Sequence, residues 1–160
     1  MAREPARAKQ FVVREFQPAD LASVVQISGG SVEASQWSPE SYSAVSANAS
    51  SLLLVADSGS GVSGFLAARW AGGEAEILNL AIDFRARRVG MGSALLAIAL
   101  ERFQQEHLDC VYLEVRASNA AAIGLYQKLG FAVASRRRAY YRDPVEDAVC
   151  MMKKLTGGAN

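Results

Sequence analysis

The sequence predicts a single mixed α/β (α+β) domain on a mixed, mostly antiparallel sheet, and three observations carry that prediction. Between residues 51 and 82, three apolar runs (SLLLVA, GFLAARW and AEILNLAI) are separated only by short glycine-rich turns, the pattern of an antiparallel meander. Two segments with helical periodicity come next, at 91–107 and 119–129, with the strand-like CVYLEV between them. The final AVASRRRAYY and AVCMMKKL, around the turn-like RDPVED, read as a hairpin.

Taken in order, residues 1–10 lack periodicity and residues 156–160 are small and polar, so both read as disordered tails and the folded unit is 11–155. FVVREF at 11–16 is a strand. Pro18 and Asp20 open a helix with Leu21, Val24, Val25 and Ile27 on one face, ended by Gly29 and Gly30. In the serine-rich stretch beyond, Trp37-Ser38-Pro39-Glu40 resembles a helix start, with Ser38 as cap and Pro39 in the first turn. After the meander, Met91, Leu95, Leu96, Ala99, Leu100 and Phe103 form one face of a helix ending near His107. CVYLEV at 110–115 is a strand, and the helix within ASNAAAIGLYQKLGF stops at Gly130.

Composition sets outer bounds. A chain of 160 residues is one domain's worth. Its formal net charge of +1 gives no overall field to draw it onto nucleic acid or an anionic membrane, so neither is an expected partner. Hydrophobic residues at 51% supply a substantial core. Cys110 and Cys150 lie in strand-like contexts without a CxxC or a Cys/His cluster, and read as free thiols in a reducing compartment. The start, MAREPARAKQ, has no apolar signal-peptide core, and the cytoplasm is the expected location.

The strongest local feature is Arg87-Arg88-Val89-Gly90-Met91-Gly92, with Ser93 next, between a strand ending near Ile82 and a helix. Such a turn leaves backbone N–H groups free at the positive end of a helix dipole and binds phosphate, with Arg85, Arg87 and Arg88 adding positive potential. A packing device beside a solvated arginine face fits the same residues. Neither GxxxxGK[ST] nor GxGxxG is present, which argues against nucleotide hydrolysis and nicotinamide chemistry and leaves a diphosphate-bearing ligand without a metal site. Alternation in VYLEV puts Tyr112, Glu114 and Arg116 on one face. Partial desolvation there would raise a carboxylate toward the range of a general base, whereas the plain alternative is a surface acid paired with an arginine. Asn119 and Tyr126 fit equally a helix cap and a core face.

Together these pieces resemble the GCN5-related N-acetyltransferase superfamily over about residues 75–152. Arg87–Gly92 fits its [Q/R]-x-x-G-x-[G/A] pyrophosphate pattern. LEVRASNAAAIGLYQKLGF, RRRAYY, VEDAVCM and Trp37-Ser38-Pro39 look like the RimI-type branch, which acetylates the N-terminal alanine of a small-subunit ribosomal protein. SGGSVEASQW departs from that branch, which usually carries a bulky apolar residue shortly before the Trp-Ser pair.

The resemblance implies a sheet flanked by helices on both faces, acetyl-CoA as co-substrate and no metal. It further implies Glu114 as general base, Tyr126 as general acid and Asn119 as a coenzyme contact. Leu80, Ala81 and Ile82 would hold the pantetheine arm, Arg87 to Ser93 the pyrophosphate, and Trp37, Tyr140 and Tyr141 would contact the acceptor. The expected partner is a protein N-terminus, that of a ribosomal protein; the alternatives are a small amine or lysine acceptor, or a non-catalytic acyl-CoA-binding module.

Overall fold

Central strands covered on both faces must be apolar throughout, and SLLLVA and GFLAA obey that rule. The computed structural model describes residues 10–31, 34–87 and 89–155. Its seven strands are β1 (Val12–Glu15), β2 (Ser51–Asp57), β3 (Val62–Ala71), β4 (Glu74–Ile82), β5 (Cys110–Arg116), β6 (Ala132–Tyr141) and β7 (Glu146–Lys154). They form one sheet in the order β1-β2-β3-β4-β5-β7-β6. Every pairing is antiparallel except β4 with β5. The tails expected at 1–10 and 156–160 lie outside the described residues, apart from Gln10.

The helices are α1 (Leu21–Gly29), α2 (Pro39–Ala47), α3 (Met91–Gln105) and α4 (Ala120–Lys128). Pro18–Asp20 forms a 3-10 turn leading into α1, and the Ser38 hydroxyl caps α2 by accepting from Ser41 N–H, as the sequence predicts. Buried Leu95, Leu96, Ala99 and Phe103 of α3 pack with Leu52, Leu54, Leu66 and Val111 on one sheet face. On the other face Val24 and Ile27 of α1 and Tyr42 of α2 pack with Leu53, Val55, Phe65 and Ala67. Each large apolar side chain sealed in this way contributes about 2 kcal/mol. Phe103 also sets its ring edge-on to Trp70, with centroids 6.0 Å apart.

At the N-terminal end, Arg14 joins three segments. Its guanidinium donates to both carboxylate oxygens of buried Asp20, at 2.8 and 2.9 Å, and to Asp57 at 3.1 Å. This bidentate pair fixes β1 and the start of α1 against β2.

Candidate active site

A cleft opens where β4 and β5 part. They pair only from Glu74–Cys110 to Ile77–Leu113, although β4 runs on to Ile82 and β5 to Arg116. The cause is a bulge: Ala67 of β3 faces Asn79 while Ala68 faces Ile77, so Leu78 is one residue more than the ladder requires. Past it the faces exchange. Ala75 and Ile77 belong to the core under α3, and so do Leu80 and Ile82 beyond the bulge, whereas Leu78 and Ala81 belong to the core under α1 and α2. The resulting cavity of about 780 Å³ is lined by Leu80, Ala81 and Ile82 along one strand and by Glu114, Val115 and Arg116 along the other.

The upper end of the cavity is the glycine turn. Gly90 stands at φ +81°, a left-handed conformation that favours glycine, and its carbonyl accepts the first helical bond of α3 from Ala94 at 3.0 Å. The amides of Met91, Gly92 and Ser93 therefore fall among the first-turn donors with no acceptor inside the helix, and all three residues line the cavity. Arg87 also lines it, its Nε donating to the Ile82 carbonyl at 3.3 Å. Val89 is exposed, and Arg88 lies outside the described residues. Arg85 turns instead to Asp83, at 3.4 Å. Below the turn, a Cβ on Gly64 would come within 2.6 Å of Ile82 Cδ1, so a larger residue there would require the Ile82 side chain to shift.

Glu114, Tyr126 and Asn119 all line the same cavity. Asn119 caps α4, its Oδ1 accepting from Ala122 N–H at 3.2 Å. Tyr126 is buried at 7% exposure, with its ring tilted edge-on to Phe131, and burial followed by the proximity of Tyr141 pushes its phenol well above the usual tyrosine range. Glu114 is half-buried on the face shared with Tyr112 and Arg116, and forms an ion pair with Arg137 at 3.2 Å, so the arginine partner weighed from the sequence is present. Cys150 Sγ, directly across on β7, donates to Glu114 Oε1 at 3.9 Å. A second hollow of about 760 Å³, on the open sheet face, also has Glu114 in its wall.

Of the acceptor residues expected from the sequence, Tyr141 reaches the cavity, where burial, then the Glu114 charge, pushes its phenol up to about 12. Its ring carries the Arg116 guanidinium at 4.4 Å and lies 5.1 Å from Tyr140. Tyr140 is more exposed, and its phenol is raised chiefly by the nearby Glu114 carboxylate. Trp37 packs against Tyr42, ring centroids 5.1 Å apart, and is not among the residues lining the cavity.

Two participants were not singled out by sequence reasoning. Asn79, buried in β4, exchanges hydrogen bonds with the backbone of Ser35 at 3.0 and 3.2 Å and donates to the Tyr42 hydroxyl at 3.3 Å. It thereby pins the α1–α2 loop, whose Ser31 and Ser35 line the cavity. A lone amide in the apolar run EILNLAI was its signal. Arg137 appears in the sequence only within RRRAYY, one of the segments that carry the family resemblance.

A loop of free amides leading to a cleft between diverging parallel strands, with a carboxylate on one wall and a buried phenol, defines an acyl-coenzyme A-dependent transferase fold. The sequence model of the Acetyltransferase (GNAT) family matches residues 19–131, and the chain belongs to that family. It is 46% identical over 80 residues to the [ribosomal protein bS18]-alanine N-acetyltransferase of Escherichia coli (strain K12), an alignment covering 49% of this chain and 54% of that protein. The chain thus spans about half the length of these curated relatives. In three dimensions it is similar to the crystal structure of the ribosomal-protein-S18-alanine N-acetyltransferase from Escherichia coli, with TM-score 0.82, 29% identity, and 94% and 97% of the two chains covered. Ard1 from Thermoplasma volcanium is equally near, with TM-score 0.83, 31% identity, and coverage of 91% and 98%.

Proposed function

We propose that this chain transfers the acetyl group of acetyl-CoA to the α-amino group of a protein, the acceptor being the N-terminal alanine of a small-subunit ribosomal protein. The observation that carries the reading is the cleft between β4 and β5, which has the amide turn at one end and Glu114, Tyr126 and Tyr141 in its wall. Sequence similarity to an alanine N-acetyltransferase of a ribosomal protein supports the choice of acceptor.

The residues present fit the coenzyme. The amides of Met91, Gly92 and Ser93, with Arg87 beside them, suit a pyrophosphate, and the β5-facing edge of β4 beyond Ile77, which pairs with no strand on that side among the described residues, suits the amide-bearing pantetheine arm. When bound, acetyl-CoA supplies a thioester carbonyl open to attack. Glu114 accepts, directly or through water, the proton that the acceptor amine must lose. Backbone N–H near Ile82 stabilises charge developing on the carbonyl oxygen. Tyr126, held protonated by its burial, gives its proton to the departing sulfur. The new N–C bond replaces the S–C bond, and the products are the N-acetyl peptide and free CoA thiol. Among the described residues no cluster of three or more His, Cys, Asp or Glu is placed to hold a metal, and no helix is long and apolar enough to cross a membrane.

Intact-mass analysis of recombinant small-subunit ribosomal proteins after incubation with this protein and acetyl-CoA tests the reading. A gain of one acetyl group confined to one protein, at its N-terminal alanine, is expected. Selective turnover of polyamines or lysine peptides, or coenzyme binding without turnover of any acceptor, would overturn it.

A further inference from the structure

We infer that Arg137 is a positioning residue for Glu114, clamping the carboxylate from the neighbouring hairpin in the orientation that meets the acceptor amine; this rests on Glu114 being the base. Arg137 Nε approaches Glu114 Oε1 at 3.2 Å, and Cys150 Sγ approaches the same oxygen at 3.9 Å. Both contacts fall on Oε1, and the Tyr140 hydroxyl is a further hydrogen-bonding neighbour of the same carboxylate.

The contact lies beside an irregularity of β6. Ser135 and Cys150 face each other in the row that contains Glu114, so Arg137, opposite Ala148 and two rows along on the same face, reaches Glu114 diagonally. Between Arg137–Ala148 and Tyr141–Glu146, β6 holds two more residues than β7. Ala139, at φ +48°, sits in this excess, and its N–H donates to Asp147 Oδ1 at 2.9 Å. Asp147 also takes Arg136, at 3.0 Å, so adjacent arginines are committed to different carboxylates. The excess brings the Tyr140 ring to 5.5 Å from the Arg137 guanidinium, which limits its freedom on the side facing Glu114.

Stability does not account for this arrangement. The Arg137 side chain is 59% exposed, and ion pairs of that kind contribute about 0–1 kcal/mol to folding. The fixed orientation of a proton acceptor, by contrast, is a large factor in rate. The Glu114 charge is also the chief influence on the guanidinium, pushing it further above its ordinary value.

The test is a double-mutant cycle, Arg137→Gln, Glu114→Gln and both together. It reads kcat/KM for a peptide beginning with alanine, the Kd for acetyl-CoA, and thermal melting. Arg137→Gln is expected to lower kcat/KM about tenfold, the size of one charge-assisted contact, with the Kd and melting temperature unchanged. Arg137→Lys should recover part of that loss. In the Glu114→Gln background the Arg137 substitution should cost nothing further, because a clamp has nothing left to hold. Equal losses in both backgrounds, or no loss from Arg137→Gln alone, would refute the clamp. Full activity of Glu114→Gln alone would instead remove Glu114 as base, a result distinguishable from either.

Discussion

Burial pushes the Tyr126 phenol above the usual tyrosine range, so it keeps its proton to a higher pH than an exposed tyrosine does. That is the form an acid needs. Tyr126→Phe, which keeps the ring beside Phe131 and removes one hydroxyl, should lower kcat about 100-fold while leaving the Kd for acetyl-CoA unchanged. Because the shift is upward, the wild-type rate should show no alkaline decline from this group below about pH 10. Stopped-flow detection of CoA thiol across pH checks both points. Tyr126 was visible in the sequence only through resemblance, because one buried aromatic on a helix face looks like any other. Arg137 was less visible still: its meaning depends on a diagonal across two strands, and no local pattern encodes that.

Most of the elements were legible. Pro39 after Ser38 placed a helix start correctly in the serine-rich region, since the cap and the proline each have a mechanism that acts within one turn. The meander and the hairpin followed from turn chemistry and apolar runs. The bulge at Leu78 was not legible, because AEILNLAI reads as one smooth strand and the face exchange emerges only against β3. Asn79, next to that bulge, makes the neighbouring loop part of the site. Asn79→Ala would strip the Ser35 backbone of two partners and the Tyr42 hydroxyl of one, costing about 2 kcal/mol of stability in chemical denaturation. With the α1–α2 loop unpinned, KM for the acceptor peptide should rise several-fold and the Kd for acetyl-CoA should not change, as steady-state kinetics and calorimetry would show.

At the scale of the molecule, two cores on opposite sheet faces carry the stability, and the Arg14 cluster fastens the first strand to them. The Arg14 guanidinium, foremost by hydrogen bonding, holds the Asp20 carboxyl below its ordinary value. A carboxyl lowered by folding binds its proton more readily in the unfolded chain, so its stabilisation is complete above about pH 4 and fades as pH falls below that. Asp20→Asn should therefore cost about 2 kcal/mol at pH 7, with the gap between the two melting curves narrowing progressively as pH falls below about 4. A constant gap across that range would show that Asp20 matters through packing alone. The cleft makes a different kind of demand on the same fold. Leu78 opens it by surplus length, without deleting core side chains, so no apolar void has to be sustained. What the cleft offers is polar, a strip of main chain past Ile77 whose β5-facing side pairs with no strand among the described residues and can extend the sheet's hydrogen bonding to a ligand.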